Sequence, residues 1–120
     1  MAGVNINLTP KEGLVLIDAK TAADTTGIGV VPEELCGRYV ECTFYVDFDH
    51  TSAAGTVLIE SAPTRSYQGT WVTEATVTWS AIDKAHRVSL NLLTGAMRAR
   101  ISSAVTTGTC TVRFFASTNS

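Results

Sequence analysis

RYVECTFYVDF, residues 38–48, alternates its side chains with a period of two along its whole length: Val40, Cys42, Phe44, Val46 and Phe48 on one parity, Tyr39, Glu41, Thr43, Tyr45 and Asp47 on the other. A β-strand sends successive side chains to opposite faces, so the stretch reads as a strand with an apolar inner face and an outer face carrying two tyrosines. The rhythm recurs in GLVLIDA (13–19), GTVLIESA (55–62), GTWVTEATVTW (69–79), HRVSLNLL (86–93), AMRARISS (96–103) and TCTVRFFA (109–116). Short polar stretches rich in Gly, Pro, Asp, Ser and Thr separate these runs. The chain is therefore read as all-β, with two antiparallel sheets packed as a sandwich. Connection order would be that of a jelly roll or of an immunoglobulin-like sandwich, between which periodicity does not choose.

Between the strands, residues 20–37 read as a loop in which Pro32 to Leu35 make one helical turn, with Pro at the first helical position and Gly37 past the end. Thr94-Gly95 and the TTG at 106–108 read as tight hairpins that link the last three strands into a meander. One domain over 13–116 is expected, with an arm at 1–12 and a tail at 117–120. Within the arm, VNINL (4–8) alternates well enough to become ordered on a partner's sheet edge.

A chain of 120 residues, 45% apolar and 17% charged, is long enough to bury a real core without metals or disulfides. It has no run approaching the roughly 18 apolar residues of a membrane span. The opening MAGVNINLTPKEG has neither a basic head nor an apolar run before a cleavage site, so assembly in a cytoplasm is the expectation. The three cysteines, Cys36, Cys42 and Cys110, match no zinc or CxxC spacing. Cys42 and Cys110 share parity with apolar neighbours and read as small buried groups, whereas Cys36 beside Gly37 is the one most open to chemistry.

Charge is distributed unevenly. Residues 1–80 hold four basic groups and ten acidic ones, whereas residues 81–120 hold five basic groups against Asp83 alone. Five cations spread over several strands of a chain with net charge −2 make a poor phosphate-neutralising footprint, so nucleic acid is not an expected partner. Arg87, Arg98 and Arg113 fall in three successive strands, and a meander would set them side by side with Arg100. Such a row needs carboxylate neighbours, either within the chain or on an acidic partner.

No catalytic or metal-binding signature stands out, so neither a cofactor nor enzymatic activity is expected. Asp47, Asp49 and His50 read as a strand end entering a solvated turn, since no ligand-loop glycine pattern accompanies them. Ser80, Asp83 and His86 lie close in sequence without a strained GxSxG turn, and His86 opens a strand on its apolar parity. Trp71 and Trp79 share parity with Ala75 and Val77, which favours burial over a sugar-stacking platform.

Residues 69–115 nevertheless carry a resemblance, in the GTW strand opening, the W-x-x-x-D-K-x-H connector (79–86), the G-A-x-R-A-R-I-S strand (95–102) and the G-T-x-T-V ending (108–112). The region is similar to the small jelly-roll cementing or decoration proteins of tailed bacteriophages. The resemblance implies a jelly roll of about eight strands, no enzymatic activity, and a virion protein that binds the major capsid protein outside the shell. It further implies a homodimer or another small symmetric oligomer. Arg87, Arg98, Arg100, Arg113, Tyr39 and Tyr45 are the candidate partner contacts. The alternative is a carbohydrate-binding or tail-fibre receptor-binding module.

Overall fold

The computed structural model describes residues 14–21, 27–32, 41–81, 84–91 and 95–117. The described residues form eight strands: β1 (Leu14–Lys20), β2 (Ile28–Val30), β3 (Glu41–Phe48), β4 (Ala54–Ala62), β5 (Val72–Thr78), β6 (Ala85–Asn91), β7 (Ala96–Thr106) and β8 (Cys110–Ser117). They make two four-stranded antiparallel sheets, in the orders β1-β8-β3-β6 and β2-β7-β4-β5. The β-sandwich read from the alternation is the observed architecture. Among the described residues no helix is long and apolar enough to cross a membrane.

Strand pairing is nested: first with last (β1 with β8), then β2 with β7, β3 with β6 and β4 with β5. An immunoglobulin-like sandwich would place the first two strands side by side, but here they lie in different sheets. The expected meander of the last three strands is also corrected, because β6 borders β3, β7 lies in the other sheet, and β8 inserts between β1 and β3. Turn residues permit a reversal without dictating which strands pair afterwards. Fully buried Cys110, Val112 and Phe114 are covered only if β8 is a central strand facing the second sheet.

The core lies where the inward parities of both sheets meet. Phe44, Val46 and Phe48 of β3 face Val57 and Ile59 of β4 and Met97, Ala99 and Ile101 of β7, all nearly inaccessible to solvent. Each such large apolar side chain contributes roughly 1.5–3 kcal/mol. The Phe44 and Phe114 rings meet edge to face at 5.1 Å. From Cys42 opposite Ala116 to Phe48 opposite Cys110 the β3–β8 register runs without a slip, as the clean alternation of both segments requires.

Two departures from the expected strands have local causes. β2 lies inside the stretch read as a loop, since three residues are too few to show a period; it pairs Gly29 with Ala99, flanked by Ile28–Arg100 and Val30–Arg98. Any side chain at position 29 would meet the Leu16 backbone, so glycine allows the two sheets to approach at this edge. The second departure is a bulge between Ile59 opposite Ala75 and Glu60 opposite Thr73. It inverts the parity of the start of β5, so Trp71 does not share the core face with Val77. Trp71 instead packs with Ala62 and Ala96 in a separate small cluster on the outer side of the second sheet. Trp79, beyond the bulge, packs against the main core as its parity implies. The arm at 1–12, all of the helical turn read over 32–35 except Pro32, and Cys36, Tyr39 and Asp83 lie outside the described residues.

Candidate partner-binding surface

The nominated arginines separate onto opposite faces of the molecule. On the outer face of the β2-β7-β4-β5 sheet, Arg98 and Arg100 project from alternate positions of β7 and flank Glu60 of β4, whose carboxylate is buried between them. Arg98 Nε donates to Glu60 Oε1 at 2.8 Å, while Arg100 Nε donates to the same oxygen at 3.1 Å and its Nη2 to Oε2 at 3.0 Å. Burial by itself pushes the Glu60 carboxyl up, but the hydrogen bonds and charges of both arginines outweigh it and hold the group below its usual range. The same bonds to Glu60 raise Arg100. Arg98 also lies over the Trp71 ring at 4.1 Å, and Trp71 Nε1 donates to the Tyr67 carbonyl at 3.3 Å. Both guanidiniums of this cluster are thus engaged by one carboxylate within the chain.

The outer face of the β1-β8-β3-β6 sheet is different. In one row across four strands, Val15, Arg113, Tyr45 and Arg87 stand in register, with Tyr45 central between the two arginines. With strands about 4.8 Å apart, the arginine backbones are roughly 10 Å from each other. Tyr45 and Val15 are 41% and 43% exposed, large values for such side chains in a sheet. The Phe115 ring, one position along, supports Tyr45 edge-on at 5.6 Å. Among the described residues neither Arg87 nor Arg113 is in an ion pair, while Arg98 and Arg100 both are. Asp47, exposed in the next row opposite Thr111 and Ala85, does not bridge to either arginine.

Comparison of the chain with protein-family models, with curated proteins and with solved structures finds no match. Assignment of the surface therefore rests on its own residues. Arg87, Arg113 and Tyr45 are brought together; Arg98 and Arg100 are brought together elsewhere and engaged by Glu60. Two contributors escaped the sequence reading. Glu60 was legible as the only carboxylate on the outward parity of GTVLIESA, and Phe115 as the outward neighbour of Arg113.

The remaining candidates have local roles. Asp49 accepts from the Thr51 backbone N–H at 2.9 Å and from its hydroxyl at 3.0 Å, with His50 Nδ1 at 3.1 Å, so the carboxylate closes the turn after β3. Its pKa is lowered first by the Thr51 backbone hydrogen bond and then by the hydroxyl. His86 turns inward with its ring edge-on to Phe48 at 5.9 Å. Neither tryptophan offers an open face for a sugar: Trp71 is 7% exposed beneath Arg98, and Lys84 lies over the Trp79 ring at 4.8 Å.

Proposed function

We propose that this chain is a non-enzymatic virion protein of the cementing type, which binds the outside of an icosahedral capsid and bridges major capsid protein subunits. The observation that carries this reading is the in-register Arg113–Tyr45–Arg87 row, in which Tyr45 and Arg87 are exposed, Arg113 is half-buried, and neither arginine is in an ion pair among the described residues. Tyrosine and arginine are the side chains enriched in protein interfaces, because they combine large contact area with directed hydrogen bonding. The nested strand order supports the jelly-roll reading that the phage-protein resemblance implies. Assembly takes place in the host cytoplasm, the protein acts on the capsid exterior, and it does so as a dimer or another small symmetric oligomer.

Stabilisation follows from linkage. A protein that binds only the assembled shell lowers the free energy of that state, and many weak sites on one particle act together. The test is sedimentation of purified protein with and without shells of the phage that carries it, followed by heating and osmotic shock. Co-sedimentation with a raised disruption temperature is expected. Protein left in the supernatant, or shells of unchanged strength, would overturn the proposal.

A further inference from the structure

We infer that the Arg87–Tyr45–Arg113 row docks a protein surface bearing carboxylates, each guanidinium taking one acidic side chain while Tyr45 covers the space between them. This deepens the proposed function and rests on the reading of that face as the contact surface. The chemistry is argued by contrast within the same molecule. Where the fold sets two arginines close together on β7, it supplies Glu60 between them. Across the other sheet it sets two arginines on either side of an exposed tyrosine and supplies no ion-pair partner among the described residues. A planar guanidinium fork matches a carboxylate in two-point fashion, and neither guanidinium of this row has the paired carboxylate that Glu60 provides on the opposite face, Asp47 in the next row bridging to neither.

Phosphate polymers fit the row less well. Only two cations stand in it, Asp47 is exposed one row away, and the whole chain carries net charge −2. A nucleic-acid backbone needs a longer basic track to release enough counterions. Carboxylates on a folded partner require only two matched positions at the spacing of alternate strands. The flat apolar part, Val15, Tyr45 and Phe115, supplies contact area beside them.

The experiment uses poly-L-glutamate as the probe, titrated into isotopically labelled full-length protein while backbone amide shifts are followed. Perturbations are expected to concentrate on residues 43–47, 85–89 and 111–115. Arg87→Glu and Arg113→Glu should each weaken binding about tenfold. Lys20→Glu, which changes net charge equally at an exposed position of β1, should weaken it less than about twofold. Arg87→Gln and Arg113→Gln provide the same test should a glutamate variant fail to fold. Equal weakening by Lys20→Glu, shifts centred on another face, or equal binding of inorganic polyphosphate would overturn the inference. Wild-type protein that sediments with shells yet ignores polyglutamate overturns this inference alone. Binding of polyglutamate on the row, with protein left free of shells, supports the inference and defeats the capsid reading.

Discussion

Glutamine at position 60 keeps the shape of the glutamate and one acceptor oxygen, but replaces the other with an NH2 group facing the Arg100 Nη2 that now donates to it at 3.0 Å. Two bounds frame the cost. An exposed ion pair is worth about 0.2–1 kcal/mol, and removing one partner of a fully buried pair costs about 3–5 kcal/mol. The Glu60 side chain is 4% exposed whereas those of Arg98 and Arg100 are 21% and 33%, so the orphaned guanidiniums can turn partly to water. An intermediate loss of about 2–3 kcal/mol follows. With an unfolding entropy of roughly 2.1 cal/mol/K per residue over the 120 residues, each kcal/mol moves the midpoint by about 4 °C. Glu60→Gln should therefore lower Tm by about 8–12 °C in thermal unfolding followed by circular dichroism at neutral pH. In an Arg98→Met/Arg100→Met background the same change should cost far less. A fall below about 2 °C in the otherwise unaltered protein would refute the reasoning and mark the cluster as a solvated surface pair.

Other consequences follow from the same structure. Because the folded Glu60 pKa lies below its ordinary value of 4.5, its contribution is fully present above that value and lost as pH falls through the lowered folded one. Urea midpoints measured across that acid range should fall more steeply for the parent than for Glu60→Gln. Burial, with a smaller contribution from the Asp47 charge, pushes the Cys110 thiol up to about 12. Peptide mapping after treatment with a thiol reagent at mildly alkaline pH should find Cys110 labelled only when denaturant is present. Gly95 has φ of +97°, and a Cβ there would lie 2.5 Å from the Ala62 carbonyl oxygen. Gly95→Ala should cost about 1–3 kcal/mol in urea unfolding.

The legible part of this fold is the part that alternation controls. Phe44, Val46 and Phe48 announced a strand with one buried face, and Val112 and Phe114 announced its partner. Three features depend on information that is not local. β2 is too short for a period, the bulge opposite Glu60 inverts the face of Trp71, and the turns before β7 and β8 carry the chain between sheets where their residues suggested hairpins. The candidate site was half legible. Arg98 and Arg100 plainly required a carboxylate, and Glu60 had the right parity, but only the register between β4 and β7 joins them. Arg87 and Arg113 were expected in one row with Arg98 and Arg100, with Tyr45 a separate candidate; that the two arginines stand on either side of Tyr45 comes from β3 lying between β6 and β8.

The placement of β8 between β1 and β3 also bears on how the chain reaches its native state. Without residues 110–117, β1 has no neighbour in its sheet and β3 is paired only with β6, so both present unpaired edges. Pairing residue 14 with residue 114 brings together positions far apart in sequence, an arrangement of high contact order that folds slowly. Loss of β8 would therefore expose the edges of β1 and β3 and leave an aggregation-prone species.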